Sequence, residues 1–184
     1  MKTLIHITSA FILLTATLPA LAADAPYFWQ TPTIQGYGKI HLLPNAAYQP
    51  QKDQHYHIVF GLTKPAKSPN EVNPSLDKVA RTINLYIAAG VPLNHLKFVA
   101  VASGEATPLA LNNAQYQAQF GVPNPNLALI QALRKVGVDI AVCGQAVAEH
   151  QYNYSWIDPS VTISLSALTT ITTLEQQGYA LEPL

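Results

Sequence analysis

Three short, nearly continuous apolar runs constrain this chain more than any other feature. They are HIVFGLT at 57–63, LKFVAVAS at 96–103 and VDIAVC at 138–143. Each is too short for a buried helix and rich in β-branched residues, so each reads as a strand. None alternates apolar with polar residues as a half-exposed strand would. Both faces of these strands must therefore be covered, as in the interior of a parallel sheet.

The segments between the runs read as helices. NPSLDKVARTINLYIAAG opens with Asn73 as N-cap and Pro74 as first helical residue. Leu76, Val79, Ala80, Ile83 and Ile87 recur at helical spacing, and Gly90 ends the helix. Asn124-Pro125 repeats the start signal, Leu127, Ile130, Leu133 and Val136 repeat the stripe, and Gly137 repeats the stop. A loop and short helix are expected over 104–120 and another short helix over 144–149. The aromatic stretch HQYNYSWIDP reads as a loop. A fourth strand over 161–165, a helix over 166–177 closed by Gly178, and a last strand over 179–181 complete the pattern. Strand alternating with helix predicts an α/β domain, a parallel sheet with helices on both faces.

The amino terminus has a different character. Lys2, an apolar run from Leu4 to Leu18 and the small-residue site Ala20-Leu21-Ala22 form a secretory signal peptide, expected to be cleaved after Ala22. The run is shorter than the ~20 apolar residues that a spanning helix needs. The expected organisation is a leader at 1–22, an irregular Pro-rich arm at 23–55, and an α/β domain at 56–184. The arm carries Tyr27, Phe28, Trp29, Ile34, Ile40 and Leu42. That is too much apolar surface for a free linker, so it should lie on the domain or on a neighbouring subunit. Removing the 22-residue leader from 184 leaves 162 residues, the length of one domain. Loss of Lys2 then leaves nine basic residues against ten acidic ones, without a basic cluster, which argues against nucleic-acid binding.

Ligands of open parallel sheets bind beyond the carboxyl ends of strands. Two such ends carry candidate residues: Ser103-Gly104-Glu105-Ala106-Thr107-Pro108 and Cys143-Gly144-Gln145. They share one site if their strands are neighbours. Cys143 is the only cysteine, so no internal disulfide is open to it. It sits where a strand ends and a helix begins, where free amide N–H groups favour a thiolate. A buried, inert thiol is the alternative, since free cysteine is among the most buried residue types.

Other chemistries find little support. His55-x-His57 places two imidazoles on one strand face but lacks further metal ligands nearby in sequence. Ser103-Gly104 lacks the flanks of a nucleophile elbow, and Glu105 is a lone acid in a loop. Neither a phosphate loop nor a dinucleotide fingerprint occurs. Tyr152, Tyr154 and Trp156 suit a pocket, an interface or the core equally.

The segments ARTINLYIAAGVP, ATPLALNNAQYQAQFGVPNPNLALIQALRKVGVDIAVCGQ and LSALTTITTLEQQGYAL resemble the DsrE/DsrF family, in particular its exported branch, over 56–184. The resemblance implies a flavodoxin-like α/β fold of the DsrE kind and a homo-oligomer, trimer or hexamer. It also implies a sulfur-relay role. Cys143 matches the family cysteine that carries persulfide sulfur from a donor to an acceptor, either a protein or a small thiol. Under that reading Gly144 and Gln145 stabilise the anion, while Ser103, Gly104 and Thr107 orient the donor. Relatives often carry His where this chain has Ser103, and Asp at Gly61. The expected function is thus a periplasmic persulfide carrier. The competing expectation is a non-enzymatic oligomeric scaffold or small-ligand module with an inert cysteine.

Overall fold

The computed structural model describes residues 28–184; the leader and the start of the arm lie outside them. Five strands form one sheet: β1 (Tyr56–Leu62), β2 (Leu96–Ala102), β3 (Asp139–Cys143), β4 (Thr162–Ser164) and β5 (Ala180–Pro183). Their spatial order is β4-β3-β2-β1-β5, and every pairing is parallel. This is an α/β parallel sheet of the flavodoxin-like class. In both arrangements the first strand has one neighbour on one side and three strands on the other; here the lone strand comes last in the chain.

The helices are α1 (Pro74–Ala88), α2 (Asn113–Phe120), α3 (Leu127–Lys135), α4 (Gly144–Glu149) and α5 (Ala167–Gln176), and a 3-10 segment over Gly104–Ala110 follows β2. Side chains alternate across the strands and divide the core in two. Ile58, Phe60 and Leu62 of β1, Phe98 of β2 and Ile140 and Val142 of β3 meet Leu76, Val79 and Ile83 of α1 and Leu129, Ile130 and Leu133 of α3. These are large, fully or nearly fully buried groups, each worth about 1.5–3 kcal/mol on burial. The opposite face carries smaller residues, Val59, Val101, Ala141 and Cys143, with α5 upon them through Ala167, Ile171 and Leu174. Ala167 is the only residue of α5 that is buried. Both faces are covered as expected, but one heavily and one thinly.

Local signals place most elements to within a residue or two. Asn73 caps α1 through its Oδ1, which accepts the Ser75 and Leu76 N–H groups at 2.9 and 3.2 Å. The Asn124-Pro125 start signal is displaced: α3 begins at Leu127, with Asn126 in the cap position. The reason is tertiary. Asn124 Oδ1 accepts the Asn126 N–H at 2.9 Å, while its Nδ2 donates to the Leu109 and Leu111 carbonyls at 3.1 and 2.6 Å. Asn126 Oδ1 in turn accepts the Asn73 N–H at 2.8 Å. Buried amides thus tie the starts of α1 and α3 to the segment after β2.

The arm lies on α1. Asn84, fully buried, accepts the Thr33 and Ile34 N–H groups at 3.0 and 2.9 Å and donates to the Tyr37 and Gly38 carbonyls at 3.0 and 2.9 Å. One side chain thereby satisfies four arm backbone groups. Gly38 sits so close to the Ala80–Arg81 backbone that a Cβ there would lie 2.1 Å from the Arg81 nitrogen, so only glycine fits.

Candidate functional site

β3 delivers Cys143 to its carboxyl end on the α5 side of the sheet. The register places Cys143 opposite Ser164 of β4, and β4 leads through Leu165 and Ser166 into α5. The amino ends of two helices consequently meet at one sulfur. Cys143 is itself the N-cap of α4, and its Sγ accepts the Ala146 N–H at 3.4 Å. From the other side Ser166, the N-cap of α5, brings its Oγ to 4.0 Å from Sγ. Burial, with 5% of the residue exposed, pushes the thiol up. Hydrogen bonds from the Ala167, Ala146 and Gln145 amides and the Ser166 hydroxyl outweigh it, and the net displacement is downward. The arrangement can therefore hold a sulfur anion on fixed N–H groups.

Gly144 is required by space. A Cβ on it would lie 2.8 Å from the Ser164 carbonyl oxygen, a backbone atom of the neighbouring strand. Its own carbonyl accepts the Tyr154 hydroxyl at 3.3 Å. Gln145 Nε2 donates to the Leu165 carbonyl at 3.2 Å, fastening α4 to the link that leads into α5. A shallow hollow of about 270 Å³ opens here, lined by Gly144, Gln145, Tyr154, Ile163, Ser164 and Leu165.

β2 and β3 are neighbours, so the two loops singled out in the sequence do adjoin. They are joined by His150, whose Nε2 lies 3.0 Å from the Gly104 carbonyl oxygen. Gly104 adopts φ +52, which suits glycine at this turn. Its carbonyl also accepts the Thr107 hydroxyl at 2.7 Å. Thr107 is fully buried, so it shapes the Gly104 turn and does not face a ligand. Ser103 continues β2 through its N–H to the Leu62 carbonyl at 2.9 Å and caps the 3-10 segment without a side-chain bond. The Tyr152 hydroxyl has its pKa raised by burial first and then by the negative charge of the Glu105 carboxylate. Tyr152 and Trp156 pack on the large core, whereas Tyr154 remains half exposed at the hollow. His55 stacks on His95 with ring centroids 4.1 Å apart, and His57 faces Tyr179.

Ser166, Ala167, Leu165 and Tyr154 are members of the site that strand-end reasoning passes over. The sequence places Ser166 within a helix over 166–177; the structure makes it the N-cap, and its approach to Cys143 depends on β4 pairing with β3. No local pattern carries that information.

A parallel α/β domain that holds a lone thiol on amide N–H groups beyond its strand ends is the class defined by this fold and site. The chain belongs to the DsrE/DsrF-like family, whose family model matches residues 57–181. No curated protein matches it. Among solved structures, a protein of unknown function from Methanobacterium thermoautotrophicum is similar at 14% identity with a TM-score of 0.49, covering 70% of this chain and 99% of that one.

Proposed function

We propose that the protein is an exported sulfur-relay carrier in which Cys143 takes up and yields sulfane sulfur. Membership of the DsrE/DsrF-like family supports a sulfur-relay-related role. The observation that carries the finer reading is the sulfur itself, placed where the Ala146 N–H reaches it at 3.4 Å and where the net influence of its neighbours favours the anion. The Cys143 thiolate attacks the outer sulfur of a donor persulfide, R–S–SH. The new Cys143–S bond forms as the donor S–S bond breaks. R–S⁻ leaves with the electron pair, and the proton stays on the transferred sulfur. A second thiolate reverses these steps and removes the sulfur as its own persulfide. The sulfur is transferred without net oxidation, so no cofactor enters. The Gln145, Ala146 and Ala167 amides hold the sulfur, and the Ser103-Gly104 turn, held by Thr107 and His150, adjoins from the neighbouring strand.

Export to the periplasm, with loss of residues 1–22, belongs to the same proposal and rests on the Lys2, Leu4–Leu18 and Ala20-Leu21-Ala22 pattern. So does assembly into a homo-oligomer. Leu165 and Leu168, 73% and 80% exposed beside the site, are apolar groups that another surface would cover.

The test is sulfur uptake. Purified protein is incubated with polysulfide and examined by mass spectrometry, with Cys143→Ser as the blank. Gain of about 32 Da on the wild type alone, reversed by a thiol acceptor, is expected. Absence of uptake, with slow maleimide labelling of the native fold, would transfer the protein to the competing reading of a scaffold or ligand-binding module. The 5% exposure of Cys143 is the observation that favours that second reading.

A further inference from the structure

Ser166 does two things with one hydroxyl. Its Oγ accepts the Leu168 N–H at 3.2 Å and so caps α5. The same oxygen lies 4.0 Å from Cys143 Sγ, the long end of a sulfur contact. A hydroxyl offers two acceptor lone pairs and one rotatable O–H. Capping uses one lone pair, which leaves a lone pair and the proton for the sulfur.

We propose that Ser166 is a positioning residue that follows the protonation state of Cys143, its hydroxyl accepting from the S–H of the thiol and rotating to donate to the anion. The rotation moves one proton about the Cβ–Oγ bond and leaves the Leu168 bond in place, so α5 does not unwind as the sulfur changes state. The surroundings leave this task to few groups. Residues 161–174, which form β4, the link and most of α5, contain no charged side chain. From α4 and its neighbourhood the hollow receives Gln145 and Tyr154, and among the described residues Tyr154 is the only titratable side chain lining it. Its hydroxyl is directed at the Gly144 carbonyl. Among the described residues no cationic side chain lines the hollow, and Ser166 is the one side-chain hydroxyl with a contact to the sulfur.

This rests on Cys143 acting as the sulfur carrier, and the test separates the two claims. Ser166→Gly removes the hydroxyl while glycine remains a tolerated N-cap residue. Ser166→Thr keeps both the cap and the donor. The pH dependence of Cys143 alkylation is measured for wild type and both variants, with helix content followed by circular dichroism. Ser166→Gly should titrate about half to one pH unit higher, alkylating about threefold to tenfold more slowly near neutrality, with α5 retained. Ser166→Thr should follow the wild type. A Ser166→Gly profile superimposed on the wild type would overturn the proposal, as would a Thr variant displaced as far as the Gly variant. Wild-type protein that fails to take up sulfur, but shows the displaced Gly profile, would remove the carrier reading and leave the coupling of Ser166 to Cys143 standing.

Discussion

Gly144→Ala is the substitution in which fold and site are most tightly joined. In an open helix the change would be favourable by about 1 kcal/mol, because alanine is the better helix former. Here the added Cβ meets the Ser164 carbonyl oxygen at 2.8 Å, with the Leu165 carbonyl oxygen at 3.5 Å and Ile163 Cγ2 at 3.6 Å. Ordinary contact begins near 3.4 Å, so β4 and the link must retreat by about 0.6 Å. The nearest obstacle is backbone and cannot swing aside as a side chain would. Overpacking of this kind costs about 1–3 kcal/mol, which outweighs the helix gain. At about 2–4 °C per kcal/mol for a domain of this size, the melting temperature should fall by several degrees. The retreat also carries Ser166 and the Ala167 amide away from Sγ, so the thiol should titrate closer to a free cysteine. Thermal unfolding and the pH profile of alkylation measure the two effects on one sample. Gly61→Ala on the same sheet face is the control. Its Cβ would meet Ile171 Cδ1 at 3.7 Å, an ordinary contact, so it should be neutral or slightly stabilising. A Gly144→Ala protein that melts with the wild type and keeps its alkylation profile would refute the reasoning.

Removal of Asn84 tests the arm. Asn84→Ala strands two amides and two carbonyls of the arm, should cost about 2–4 kcal/mol, and should speed tryptic cleavage at the exposed Lys39 and Lys52. Equal cleavage rates would mean that Asn84 does not hold the arm. The thiol also carries a pH signature. Its folded titration lies below its unfolded one, so between the two the unfolded chain binds more protons. Wild-type stability measured against Cys143→Ala should rise with pH through that window, be complete above about 8.5, and disappear as pH falls through the folded value. A flat difference would show that the fold does not favour the anion. Leu168→Lys, at an exposed position of α5, should lower the mass seen by light scattering if the apolar patch joins copies of the chain. Finally, cell fractionation with mass spectrometry should find the protein outside the cytoplasm beginning at Ala23; a soluble cytoplasmic pool retaining Met1 would oppose export.

The sequence by itself determines the alternation of elements and hence the parallel sheet. Buried strands must be continuous apolar runs, and helices must show a 3.6-residue stripe, and both are local properties. Asn73 as a cap, Gly90 and Gly137 as stops, and Cys143 at a strand-to-helix junction follow from the same short-range rules. Tertiary structure alone decides what depends on strand order. Asn124 carries a start signal but is drawn into bonds with Leu109 and Leu111, so α3 opens later. Thr107 stands in a promising loop, yet burial turns it inward to Gly104. Gly144 must be glycine because β4, not another element, lies beside β3. Ser166 reaches Cys143 from 23 residues away for the same reason. A periodic pattern records which side of an element is buried, but not against what, and the chemistry around Cys143 is set by the element that arrives there.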